Sequence, residues 1–159
     1  MRVITGTARG RRLKEPQGMD IRPTTDKVKE SMFSILQFDI EGRRVLDLFG
    51  GTGQLGIEAL SRGALEVVFV DKSAAALKLI RENLELCGLS DQARVRNGDS
   101  LAYLRSGEKF DLVFLDPPYD TGLLEQALQD IAGFDICREH GIITVSYTHL
   151  RAHETRSNL

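Results

Sequence analysis

The sequence predicts an α/β domain: a parallel β-sheet with helices on both faces. Three observations carry this. Short apolar runs alternate with segments of helical periodicity from residue 44 to residue 145. A glycine-rich turn, Gly50-Gly51-Thr52-Gly53, follows the first apolar run. Acidic residues, Asp47, Asp71, Asp99 and Asp116, stand at or just beyond the ends of four successive runs. In a parallel sheet ligands bind outside the carboxyl ends of the strands. Every notable motif follows a strand, so all of them fall on that edge.

The first segment, residues 2–13, is short, basic and punctuated by glycine, and suits a hairpin or an extended arm. In Arg22-Pro23-Thr24-Thr25-Asp26, Pro23 biases Arg22 away from helix, and Thr24 or Thr25 can cap the next helix. Val28, Met32, Phe33, Ile35 and Leu36 recur at helical spacing over residues 27–38. Strands are expected at 44–48, 65–70, 93–96, 110–115 and 141–145, and helices at 54–62, 73–87, 100–104 and 123–131. Gly63 and Gly88 close the first two of those helices. Residues 146–159 are polar and lack strand alternation. The expected organisation is a basic N-terminal arm or hairpin (1–23), one α/β domain (24–145) and an atypical tail (146–159).

The chain has 159 residues, 42% apolar and 28% charged, an ordinary balance for one globular domain with a real core. No apolar run is long enough for a bilayer, and no apolar stretch follows Arg2 as in a signal peptide. A cytoplasmic monomer without a membrane partner is expected. Cys87 and Cys137 have no CxxC spacing and read as reduced thiols. His149 and His153 have helical i, i+4 spacing but no third ligand in evidence, so no metal is expected. The net charge of −2 hides an asymmetry. Residues 1–29 carry eight Lys and Arg against three Asp and Glu, a net +5 that leaves −7 for the rest. A basic segment on an acidic body points to a polyanionic partner, or to a merely solvated surface.

Gly51-Thr52-Gly53-Gln54-Leu55-Gly56 matches G-x-G-x-x-G between a strand and a helix. Asp71 follows at the distance of a ribose-binding carboxylate. Taken alone, this fits a nicotinamide dinucleotide or S-adenosylmethionine equally well. Asp47 favours the second, because a carboxylate there suits a cationic ammonium and sulfonium and repels a pyrophosphate. Asp99 stands where an adenine amino group needs an acceptor, and equally where a helix needs its N-cap.

Asp116-Pro117-Pro118-Tyr119 decides the chemistry. Two prolines fix the turn and remove two backbone donors, so acceptors face the ligand. An exocyclic amine on a base is a poor nucleophile because its lone pair is delocalised into the ring. Accepting its N–H bonds drives the nitrogen toward tetrahedral geometry and frees the lone pair to attack a methyl group. Tyr119 offers a face on which the base can stack.

Val45-Leu46-Asp47-Leu48-Phe49-Gly50-Gly51-Thr52-Gly53 together with Asp116-Pro117-Pro118-Tyr119 resembles the amino-methylating branch of the Rossmann-like class I methyltransferases. Three further segments narrow the resemblance to the RsmD family, which methylates a guanine N2 in 16S ribosomal RNA. They are Ile4-Thr5-Gly6-Thr7-Ala8-Arg9-Gly10-Arg11-Arg12, Arg22-Pro23-Thr24-Thr25-Asp26-Lys27-Val28-Lys29-Glu30 and Leu55-Gly56-Ile57-Glu58-Ala59-Leu60-Ser61-Arg62-Gly63-Ala64. The resemblance runs from Arg2 to about Val145. It implies S-adenosylmethionine contacts at Asp47, Phe49, Gly50, Gly51, Thr52, Gly53, Asp71, Lys72, Asp99 and Ser100. It implies catalysis at Asp116, Pro117, Pro118 and Tyr119. It also implies contact with 16S RNA, or a small-subunit assembly particle, at Arg9, Arg11, Arg12, Arg22, Thr24 and Lys27. Two departures stand out. Gly50 replaces the family's more usual alanine, and the last two strands of the family's sheet are not evident. An adenine-N6 nucleic-acid methyltransferase, a glutamine-N5 protein methyltransferase and a non-enzymatic RNA-binding assembly factor are the rival readings.

Overall fold

The computed structural model of the chain describes residues 1–16, 25–117 and 121–145. Among these residues, five α-helices and five strands run in the order α1 (Asp26–Leu36), β1 (Arg44–Leu48), α2 (Gln54–Ser61), β2 (Glu66–Asp71), α3 (Ala74–Cys87), β3 (Ala93–Asn97), α4 (Ser100–Tyr103), β4 (Phe110–Leu115), α5 (Leu123–Gly133) and β5 (Cys137–Val145). The strands form one sheet in the order β3-β2-β1-β4-β5, and every pairing is parallel. The predicted α/β class and parallel sheet are therefore present.

The strand order reverses between β1 and β4, which makes the crevice above their carboxyl ends the natural ligand site. Alternate residues of the strands feed two separate cores. Val45, Val67, Phe69, Leu112 and Phe114 pack with α1, α2 and α3 on one face. Leu46, Leu48, Val68, Val70, Val113 and Leu115 pack with Leu104 and α5 on the other. The central strands β1, β2 and β4 are buried on both faces, so they read as near-continuous apolar runs rather than alternating ones, whereas the edge strands β3 and β5 are largely exposed or half-buried.

Gly56 sets how closely α2 approaches the sheet. A Cβ there would lie 2.3 Å from Cε1 of Phe69, so only glycine allows this contact. Gly50 is different. Its φ does not demand glycine, and a Cβ would press on the end of the Ile80 side chain at 3.1 Å, so an alanine there needs Ile80 to shift by a few tenths of an ångström.

Two expectations differ in detail from the structure. β5 begins at Cys137 rather than at residue 141. Its first half is polar, its pairing with β4 shifts register between Phe110 and Leu112, and His140 has a positive φ of 65°. That irregular stretch hides the strand pattern. In α1 the buried stripe is Lys29, Met32, Phe33 and Leu36, whereas Val28 and Ile35 are exposed. Thr25 is the N-cap, accepting from the Val28 amide at 3.3 Å.

Residues 1–13 form an antiparallel turn-back. Arg2 bridges Arg12, the Val3 amide donates to the Arg11 carbonyl, and the Leu13 amide donates to the Met1 carbonyl. Val3, Ala8 and Leu13 point into the α1–α2 core. Among the described residues, no helix is long and apolar enough to cross a membrane.

Candidate active site

β1 delivers Asp47 to the crevice, and the chain then turns through Phe49 to Gly53. Phe49 has a φ of 62°, a conformation that is costly for an aromatic residue and that concentrates at functional turns. The turn is held on both sides. The Gly50 amide donates to the Val70 carbonyl at 3.0 Å, and the Gly53 amide donates to the Gly50 carbonyl at 2.8 Å. Gly53, with φ 80°, is the N-cap of α2.

Asp47 is buried, and its Oδ2 accepts from the Gly56 amide at 3.1 Å. Burial pushes its pKa well above the ordinary carboxylate range. The Gly56 hydrogen bond opposes the shift, and the negative charges of Asp116 and Asp71 add to it. Asp71, at the end of β2, uses both carboxylate oxygens. Oδ2 accepts from the Gly51 amide at 3.0 Å and Oδ1 from the Ser73 amide at 2.9 Å. Each oxygen keeps a second lone pair for a ligand. Asp116 follows β4 directly, and burial alone raises its carboxyl pKa to about 7.

Three acids thus share the crevice, and among the described residues no Lys or Arg pairs with any of them. Among the same residues no group of three His, Cys, Asp or Glu is arranged to hold a metal ion. A buried Asp47 repelled by Asp116 and Asp71 favours a cationic occupant. S-adenosylmethionine, with an ammonium and a sulfonium, fits this donor set, and a pyrophosphate does not.

The loop after β3 reaches the same edge, because the Gly98 amide donates to the Asp71 carbonyl at 3.1 Å. Asp99 caps α4: its Oδ1 accepts from the Leu101 and Ala102 amides at 2.8 and 3.2 Å. Ser100 is buried behind it and Lys72 is exposed. Pro117 is buried beside Asp116, whereas Pro118 and Tyr119 lie outside the described residues. Of the residues expected to meet RNA, Arg9, Arg11 and Arg12 are exposed on the turn-back, and none forms an ion pair among the described residues. Lys27 is exposed in the first turn of α1, and Arg22 and Thr24 lie outside the described residues.

Two buried charges were not anticipated from the sequence. Lys29 of α1 and Glu58 of α2 are both fully buried, 3.6 Å apart. Burial lowers the Lys29 pKa against the attraction of Glu58 and Asp26. The available signal was Lys29 itself, a charged residue at the i, i+3, i+4, i+7 positions of an otherwise apolar stripe.

Known proteins extend the picture. The family model described as Conserved hypothetical protein 95 matches residues 1–158. The Bacillus subtilis protein YlbH is 42% identical over 151 residues, which span 92% of this chain and 82% of YlbH. Ribosomal RNA small subunit methyltransferase D of Haemophilus influenzae is 42% identical over 132 residues, 80% of this chain and 68% of that protein. The solved structure of yhhF from Escherichia coli superimposes with a TM-score of 0.83 at 34% identity, covering 96% of this chain and 84% of yhhF. These matches place the chain in the RsmD family of Rossmann-like methyltransferases, and the chain belongs to it.

Proposed function

We propose that the protein methylates the exocyclic N2 amino group of a guanine in 16S ribosomal RNA, using S-adenosylmethionine and acting on the RNA or on a small-subunit assembly particle. The observation that carries this reading is Asp116, a desolvated carboxyl with a pKa of about 7 placed directly after β4 in the acid-lined crevice. The cofactor, when bound, supplies an electrophilic methyl group on a cationic sulfur. Asp47 balances that positive charge and that of the ammonium. Asp71 accepts from the ribose hydroxyls while it ties down the glycine turn. Asp99 offers its second carboxylate oxygen to the adenine amino group, the first being used by the α4 cap. Asp116 accepts an N–H of the target amine and, with a pKa near neutrality, is suited to hold the proton released as the new N–C bond forms. Pro117 has no backbone donor and keeps the turn rigid. Pro118, which likewise lacks a backbone donor, and Tyr119, whose ring can stack on the target base, complete the proposed set. The direct test is incubation with S-adenosylmethionine and small-subunit RNA, then nucleoside analysis. N2-methylguanosine is the expected product, and a methyladenosine would transfer the chain to the adenine-N6 reading.

The basic N-terminal turn-back supplies the electrostatic grip, aided by Arg22, Thr24 and Lys27. Reversing the charges of Arg9, Arg11 and Arg12 is expected to weaken RNA binding and flatten its salt dependence, since fewer counterions are released. S-adenosylmethionine affinity should stay unchanged. Filter binding across a salt series reads both quantities, and an unaltered slope would show an ordinary solvated segment.

A further inference from the structure

We infer that Lys29 and Glu58 are positioning residues for RNA binding, holding the N-terminal turn-back fixed on α2 so that Arg9, Arg11 and Arg12 stand on a preformed face. The inference rests on the reading that this segment contacts RNA.

Both buried charges end on the backbone of the turn-back. Lys29 Nζ donates to the Arg2 carbonyl at 2.7 Å. Glu58 Oε1 accepts from the Ile4 amide at 2.9 Å, and Oε2 accepts from the Thr5 amide at 3.0 Å and from Arg62 Nε at 2.8 Å. Ser61, one turn further along α2, completes the seat. Its carbonyl accepts from the Thr7 amide at 2.8 Å, its Oγ accepts from the Ala8 amide at 2.9 Å, and its Oγ donates to the Thr5 carbonyl at 2.7 Å. Gly6 approaches so closely that a Cβ would lie 1.8 Å from the Ser61 carbonyl oxygen, and its φ of 96° suits glycine alone.

A well-packed apolar pair of similar volume commonly stabilises a core as well as a buried ion pair does. Charges retained here specify where the turn-back sits. An arm that orders only on binding loses conformational entropy at that moment, whereas a docked one does not. The other end of α2 receives the Gly53 turn and donates the Gly56 amide to Asp47. One helix of eight residues therefore spaces the basic face from the cofactor end.

The test uses two variants that unseat the segment by different means and leave its arginines intact. Lys29→Met removes the internal donor. Gly6→Ala drives a methyl group into the Ser61 carbonyl without touching the charges. Each is expected to raise the KM for RNA by about ten-fold or more while kcat and the S-adenosylmethionine Kd stay within about two-fold. Amide hydrogen exchange at Ile4, Thr5, Thr7 and Ala8 should accelerate about ten-fold or more, with β1 and β4 still protected. Lys29 lies in the core, so a globally unfolded Lys29→Met protein leaves the decision to Gly6→Ala, whose change falls at the contact of the turn-back with the last residue of α2 and touches no charged side chain of the core. Fast exchange with an unchanged KM for RNA would overturn the proposal, as would unchanged exchange in a folded Gly6→Ala protein. So would loss of kcat together with β1 protection in Gly6→Ala. Failure of the arginine reversal to affect RNA would strike the RNA reading instead, while the exchange data still report the docking.

Discussion

Replacing Asp116 by alanine is expected to slow single-turnover methyl transfer by at least ~100-fold, the scale of one preorganised hydrogen-bonding group. Cofactor affinity should change little. In the proposed mechanism Asp116 faces the target amine, and its acceptor role matters most as the nitrogen becomes tetrahedral, so the loss is expected to fall on the rate. The same group sets the pH dependence. Its pKa is raised to about 7, so it is protonated and a poorer acceptor below that value. The profile of kcat/KM should rise through about pH 7 and then level, and Asp116→Asn should be slow at every pH. The stability contribution has the opposite sign. A raised acid pKa means that the folded protein holds the proton more tightly than the unfolded chain. Asp116 therefore costs stability progressively as pH rises from the ordinary carboxylate range to about 7. Rates near those of the parent in the alanine variant would reduce Asp116 to a turn-shaping residue.

Asp71→Ala is expected to weaken S-adenosylmethionine binding by about 1.5–3 kcal/mol, the range for hydrogen bonds to a charged group. On the proposed reading the ribose hydroxyls lose their acceptor, and the Gly51 and Ser73 amides lose theirs at the same time. Isothermal titration measures this directly. In the same experiment NAD should give no measurable heat with either protein, and tight NAD binding by the parent would overturn the cofactor assignment.

Much of the sheet was legible because its three central strands are buried on both faces. Residues 110–115 read as an apolar run broken only by Asp111, and β4 occupies those residues. The Gly-rich turn was legible from spacing, because φ values of 58° and 80° at Gly51 and Gly53 demand what the motif supplies. The start of β5 was not legible, since Arg138, Glu139 and His140 carry no strand pattern on an irregular edge. Nor was the docking of the N-terminal segment. Its hydrogen bonds to α2 join residues more than fifty positions apart, and nothing local in Ile4 or Thr5 names Glu58 as their acceptor. Asp99 carried two readings at the outset. Its capping of α4 is plain in the geometry, and its adenine contact is part of the proposed function.

The most direct test is mass spectrometry of small-subunit ribosomal RNA from cells lacking the gene. The account predicts loss of one N2-methylguanosine, restored by the parent protein and not by Asp116→Ala. An unchanged modification profile, or loss of a methyladenosine instead, would contradict it.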